Sequence, residues 1–210
     1  MSAAARASGA PDWHPQARIS ASPNHDERPT GQPVELVVLH AISLPPGEYG
    51  GEGVEALFAN RLDAAAHPYY AQIAHLKVSA HFFIRRDGTL IQCVPVHRRA
   101  WHAGVSCWRG RERCNDFSVG IELEGCDEDV FSDAQYDCLA RLILWLEARL
   151  PLRALVGHED IAPGRKTDPG PGFDWARLQC ALQAQLPAGS RLGRWLAGGA
   201  LADALWRMQV

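Results

Sequence analysis

The sequence predicts a single α/β domain, and three stretches carry that prediction. Val34 to Leu39 (V-E-L-V-V-L) is a β-branched, nearly all-apolar run, as expected of a strand buried on both faces. Ser79 to Arg85 and Thr89 to Pro95 flank Arg86-Asp87-Gly88, a hairpin signal in which the glycine takes the left-handed position. Ser132 to Leu150 is the clearest helix. Ser132 and Gln135 fit a capping box, Tyr136, Leu139, Leu142, Ile143, Leu146 and Leu150 form an apolar stripe, and Pro151 ends it. The chain has 210 residues. That length suits one domain burying roughly 70% of its unfolded surface.

The remaining elements follow in order. Residues 1 to about 33 are rich in Ala, Ser and Pro and read as an extended lead-in that packs on the domain. The first strand ends on His40, and Ser43 to Gly51 is a loop whose Pro and Gly exclude regular structure. Gly53 to Asn60 and His67 to His75 have short helical periodicity, and His67 and His75 are given structural roles. Trp101, His102, Ala103 and Gly104 form a loop of the kind that lines a ligand groove. Asp116 to Gly125 is a strand with Ile121 and Leu123 on one face and Glu122 and Glu124 on the other. Ala154 to Val156 is a short strand leading into a loop that runs to Phe173, and Asp174 to Gln185 is a second long helix. Residues 1–185 are expected to form the domain, with 186–210 a separate helical extension whose removal from residue 190 leaves the chemistry intact.

Composition excludes several classes. Apolar residues make up 47% and charged residues 21%, and the net charge is -3 with Lys and Arg dispersed, so nucleic acid is not an expected partner. No run approaches the ~20 apolar residues of a spanning helix. The first residues lack the apolar core of a secretory signal, so a cytoplasmic protein is expected. The six cysteines form no C-x-x-C pair; they are read as free thiols, and zinc held through cysteine is disfavoured.

Candidate chemistry gathers where strands end. The segment V-G-H-E-D-I-A-P-G-R-K-T-D-P-G-P-G-F (156–173) holds His158, Lys166 and Asp168 between prolines and glycines that fix its path. His40 admits two readings, a ligand or a hydrogen-bonded core histidine. His81 points either into a site or into the core. One of Glu122 and Glu124 is a candidate general base; the other reading makes their face a solvated one. His40, Glu122 and His158, with Lys166 and Asp168, make a set suited to an open zinc site for amide or ester hydrolysis. Spacing does not prove convergence, the chain has nine histidines, and Asp160 is a rival to Asp168.

Five segments carry a resemblance: H-A-I-S-L-P-P-G-E-Y-G-G (40–51), A-H-L-K-V-S-A-H (74–81), R-A-W-H-A-G-V-S (99–106), R-G-R-E-R-C-N-D-F-S-V-G-I-E-L-E-G (109–125) and K-T-D-P-G-P-G-F-D-W-A-R (166–177). Together they resemble the cytoplasmic anhydro-N-acetylmuramyl-L-alanine amidases of Gram-negative bacteria, zinc amidases that share a fold with peptidoglycan recognition proteins. The resemblance spans about residues 12 to 184. It implies a mixed β-sheet flanked by helices and one Zn²⁺ per chain held by His40, His158 and Asp168. It also implies Glu122 as the catalytic glutamate, Lys166 as oxyanion stabiliser, and Trp101 and Arg113 in the substrate groove. Ala41 stands where the family has Asn, and Lys77 replaces an Arg, losing the bidentate fork for a carboxylate. The implied substrate is an anhydro-muropeptide, the role cell-wall recycling, and the protein a monomer. An amidase acting on intact murein and a non-catalytic muropeptide-binding module are the competing readings.

Overall fold

A computed structural model describes residues 12–187 and 189–197. The start of the lead-in and the far part of the expected C-terminal helix, including Leu205 and Trp206, lie outside the described residues. Among the described residues ten strands and six α-helices follow one another, with one 3-10 turn at Cys114–Asp116. They are β1 (Arg18–Ile19), β2 (His25–Asp26), β3 (Leu36–Ile42), α1 (Gly53–Phe58), α2 (Pro68–Ile73), β4 (Phe82–Ile84), β5 (Leu90–Gln92) and β6 (Arg99–Ala100). Then come β7 (Cys107–Trp108), β8 (Arg111–Glu112), β9 (Ser118–Glu124), α3 (Asp133–Glu147), β10 (Ala154–Gly157), α4 (His158–Ile161), α5 (Trp175–Gln183) and α6 (Arg191–Ala197).

The main sheet has the order β1-β5-β4-β9-β3-β10. Only the β4–β5 hairpin is antiparallel; β1 with β5, β4 with β9, β9 with β3 and β3 with β10 are parallel, so the sheet is mixed as expected. Small antiparallel pairs β2–β6 and β7–β8 stand beside it. The lead-in does pack on the domain, through β1, β2 and the side chain of Arg28, which donates to backbone carbonyls of Asp116, Val96 and Ser118.

Alternation along the central strands separates two layers. Val37 and Leu39 of β3 and Ile121 and Leu123 of β9 face α3, α5 and α6, packing with Leu139, Leu142, Leu146, Leu178 and Leu182. The expected capping box of Ser132 and Gln135 opens α3. The opposite face carries α1 and α2 over Phe83 and Ile91, and the 103–117 segment over Leu36 and Val38. His40 and Glu122 project from this second face. Leu192 and Leu196 of α6 are buried in the first layer's core, so a cut at residue 190 removes core side chains.

Two boundaries differ from expectation, and both matter. Strand β3 runs two residues past His40, because β9 pairs with it as far as Ile42↔Glu124. His40 therefore sits inside a paired strand, opposite Glu122. Strand β10 pairs with β3 only as far as Gly157↔Leu39, and there the chain coils into the one-turn helix α4, with His158 as its first residue where a loop is expected. All six cysteines are free thiols.

Candidate metal centre

Three side chains converge at the end of the β3–β10 pair. His40 Nδ1 lies 3.0 Å from His158 Nδ1, and Asp168 Oδ2 is 3.1 Å from each of those nitrogens. His40 and His158 are buried, and Asp168 nearly so. The local fold explains each placement. Parallel register fixes His40 beside Glu122; the stop of β10 delivers His158 one step beyond Leu39. The loop then returns so that the Asp168 carbonyl accepts from Glu159 N at 3.0 Å. Asp160 accepts from Gly157 N at 2.8 Å, which makes it the cap of α4 and not a member of the cluster. The loop glycines are needed for close approach: a β-carbon at Gly172 would collide with the Asp129 carbonyl.

The electrostatics suit a cation. Burial pushes His40 down to about 4 against the opposing bond to Asp168, so the ring is neutral. Burial would raise Asp168, but hydrogen bonds to His158 and His40 outweigh it and hold the carboxyl well below its ordinary range. The result is a neutral His40 imidazole and an ionised Asp168 carboxylate whose donor atoms crowd together with a ring nitrogen of His158. A tetrahedral zinc with bonds of 2.0–2.1 Å holds its donors roughly 3.3 Å apart, close to the separations seen. The three residues fit a metal site.

Glu122 completes the arrangement. It is buried, and among the described residues its Oε2 has no hydrogen-bond partner. Burial first, then the charge of Asp168, raises its pKa well above the carboxylate range, while Lys166 opposes the shift. Glu124 is buried too, so the solvated-face reading fails, but its oxygens accept from Gly50 N at 2.7 Å and Arg86 N at 3.0 Å. Of the two candidates, Glu122 is the one with an unpartnered oxygen among the described residues.

His40, Glu122, His158, Lys166 and Asp168 all line one cavity of about 620 Å³. Trp101 lines it as well, and Leu57, Phe58, Tyr69 and Ile73 give it an apolar wall. Lys77 is exposed between two lining residues, Leu76 and Val78, without lining the cavity itself. Arg113 lines a different cavity of about 700 Å³ and pairs with Asp116 at 3.1 Å. His81 points into the core, where its Nδ1 accepts from Gly120 N at 3.0 Å. His67 caps α2, accepting from Tyr69 N at 3.1 Å, the structural role expected of it.

Sequence reasoning missed one participant. His102 lies with its Nδ1 2.9 Å from His40 Nε2, wedged between His40 and His81 in edge-on ring contacts. Burial and the neighbouring imidazoles hold it well below the ordinary histidine range. Its loop was legible as groove lining; no periodicity signals the contact with His40.

Comparison with known proteins agrees with this geometry. Residues 30–171 match the N-acetylmuramoyl-L-alanine amidase family. The chain is 57% identical to the 1,6-anhydro-N-acetylmuramyl-L-alanine amidase AmpD of Citrobacter freundii over 172 residues, 81% of this chain and 92% of that protein. A crystal structure of a selenomethionine AmpD derivative superposes with a TM-score of 0.81 at 54% identity, covering 82% of this chain and 98% of that one. The amidase AmiD of Escherichia coli, solved with the substrate anhydro-N-acetylmuramic acid-L-Ala-D-γ-Glu-L-Lys, superposes with a TM-score of 0.53 at 29% identity, over 74% of this chain and 60% of that one. The chain belongs to the N-acetylmuramoyl-L-alanine amidase family.

Proposed function

We propose that this protein is a zinc-dependent amidase that cleaves the bond between the lactyl group of 1,6-anhydro-N-acetylmuramic acid and L-alanine in muropeptides. The observation that carries the reading is the unpartnered, buried Oε2 of Glu122 in the cavity that His40, His158 and Asp168 also line. The anhydro-muropeptide specificity is supported by the identity to AmpD and by the ligand of the AmiD complex.

His40, His158 and Asp168 would hold the zinc, which when bound supplies a Lewis acid that polarises the scissile carbonyl and lowers the pKa of water. Glu122 accepts the proton of the attacking water, the role of a general base. The water oxygen bonds to the lactyl carbonyl carbon, the C–N bond breaks, and Glu122 returns the proton to the departing alanine nitrogen. Lys166 places positive charge by the developing oxyanion, an effect of about 2.7–4 kcal/mol on the usual scale for such donors. Trp101 offers a flat apolar surface to the sugar ring. Lys77, exposed between the lining residues Leu76 and Val78, would carry positive charge toward the peptide carboxylates, whereas Arg113, in the other cavity and paired with Asp116, stands apart from this site. The resemblance assigns the reaction to the cytoplasm and to cell-wall recycling. No described helix is long and apolar enough to cross a membrane.

The test is product analysis on anhydro-muramyl-tripeptide, with a chelator and after zinc is restored, beside purified sacculi. The reading predicts free tripeptide and anhydro-muramic acid, loss with chelator, recovery with zinc, and slower attack on sacculi. Faster digestion of sacculi would favour an amidase of intact murein, and the absence of turnover on both would favour a binding module.

A further inference from the structure

Each candidate histidine ligand has a second ring nitrogen, and one short segment determines what it meets. His158 Nε2 lies 3.1 Å from the Ala103 carbonyl. Arg165 Nη2 lies 3.4 Å from the same nitrogen, but its two protons go to the Ala103 and Val105 carbonyls at 2.7 and 2.6 Å. A carbonyl only accepts, so His158 Nε2 carries the proton and Nδ1 keeps its lone pair. For His40 the same conclusion follows along a longer chain. Ser118 Oγ–H donates to the Cys114 carbonyl at 2.6 Å. With that proton committed, Ser118 Oγ accepts from His102 Nε2 at 3.2 Å. His102 Nδ1 is then an acceptor, and it takes the Nε2–H of His40 at 2.9 Å. The lone pair of His40 Nδ1 is thereby left facing His158 and Asp168.

The two acceptors, His102 Nδ1 and the Ala103 carbonyl, belong to adjacent residues whose backbone N–H groups one side chain holds, and Arg165 also donates to the Ala103 carbonyl at 2.7 Å. Asn115 Oδ1 accepts from His102 N at 3.2 Å and from Ala103 N at 2.9 Å. Arg28 fixes Asn115 in turn, donating to its carbonyl at 3.0 Å. The His102 ring lies flush on Gly120, where any β-carbon would collide with it.

We propose that His102 and Asn115 are positioning residues for the metal: they lock both ligand imidazoles in the Nε2–H form, so that the two Nδ1 lone pairs converge with Asp168. This inference rests on the zinc reading above. Outer partners of this kind orient the ring and raise its basicity.

The experiment measures Zn²⁺ affinity by competition with a chromophoric chelator, and the ring protonation of His102 by ¹⁵N NMR. His102→Phe fills the same space without an acceptor, whereas His102→Asn puts an amide oxygen near the position of Nδ1. On the scale of outer-partner losses, His102→Phe should weaken zinc about 10–100-fold and His102→Asn less than about threefold. Asn115→Leu should weaken zinc in the same way, with Asn115→Asp, which keeps the acceptor, restoring it. In the wild-type protein the His102 proton should sit on Nε2, with and without zinc. A proton on Nδ1 overturns the inference even if the variants fail to fold, and so does a folded His102→Phe that binds zinc like the wild type. A wild-type chain that binds no zinc would instead overturn the metal reading, leaving the NMR result to judge the hydrogen-bond chain separately.

Discussion

Glu122 and Glu124 stand two residues apart on the same face of β9, both buried, and they do opposite things. Glu124 is saturated: backbone N–H groups of Gly50 and Arg86 each reach one of its oxygens. It ties the 43–51 loop and the hairpin turn to the strand. Among the described residues Glu122 is left with an unpartnered Oε2 in the cavity that His40, His158 and Asp168 line. An unpaired buried carboxyl costs stability. The position of Glu122 beside His40, His158 and Asp168 sets it apart from Glu124, a carboxylate with both oxygens tied to the backbone.

Substitutions should widen this contrast, in decreasing order of effect. Asp168→Asn attacks the Glu122 side. It should cost more than the roughly 10–100-fold in zinc affinity that outer partners supply, and abolish turnover. Zinc titration and product analysis would read both, and a variant that keeps metal would remove Asp168 from the ligand set. Cutting the chain after residue 187 is a change remote from β9 and should resemble a lesion at Glu124. Losing the buried Leu192 and Leu196 side chains costs about 1.5–3 kcal/mol each in denaturant unfolding while zinc binding survives. Glu124→Gln itself should destabilise by about 1–3 kcal/mol, because the amide nitrogen faces a backbone N–H it cannot accept from, with turnover per folded molecule little changed.

The smallest effect is a pH dependence. The folded-state pKa of Glu122 is raised above its unfolded value, so its contribution to stability is present below the unfolded pKa and is lost as pH rises through the folded one. Metal-free wild-type protein should therefore lose stability relative to Glu122→Gln as pH climbs from about 4.5, with a slope of at most about 1.4 kcal/mol per pH unit. Parallel unfolding curves at every pH would show that Glu122 ionises as freely folded as unfolded.

The sequence made the frame legible because periodicity and caps are local signals. The central strands β3, β9 and β10, the 79–95 hairpin and the Ser132–Gln135 box appear where alternation and turn residues place them. The two-residue strands β1, β2, β6, β7 and β8, by contrast, carry too few residues for alternation to show. Convergence was a different matter. His40 and His158 are 118 positions apart, and only the register of β3 with β10 brings them together. Alternation put Glu122 and Glu124 on one face but could not say which had partners, since those come from residues 50 and 86. His102 was hidden for the same reason: its role depends on a ring nitrogen meeting another strand. The change of composition after residue 185 marks a separate helix, but it does not say which core Leu192 docks into.

The most direct test compares turnover of zinc-loaded Glu122→Gln and Glu124→Gln on anhydro-muramyl-tripeptide, with bound zinc counted in the same samples. Removing a positioned general base typically costs about 10²–10⁴-fold, so Glu122→Gln should fall by that factor while holding one zinc per chain, and Glu124→Gln should stay near the wild-type rate. Near-wild-type turnover by Glu122→Gln, or an equal loss in both variants, would contradict the assignment of Glu122 as the base.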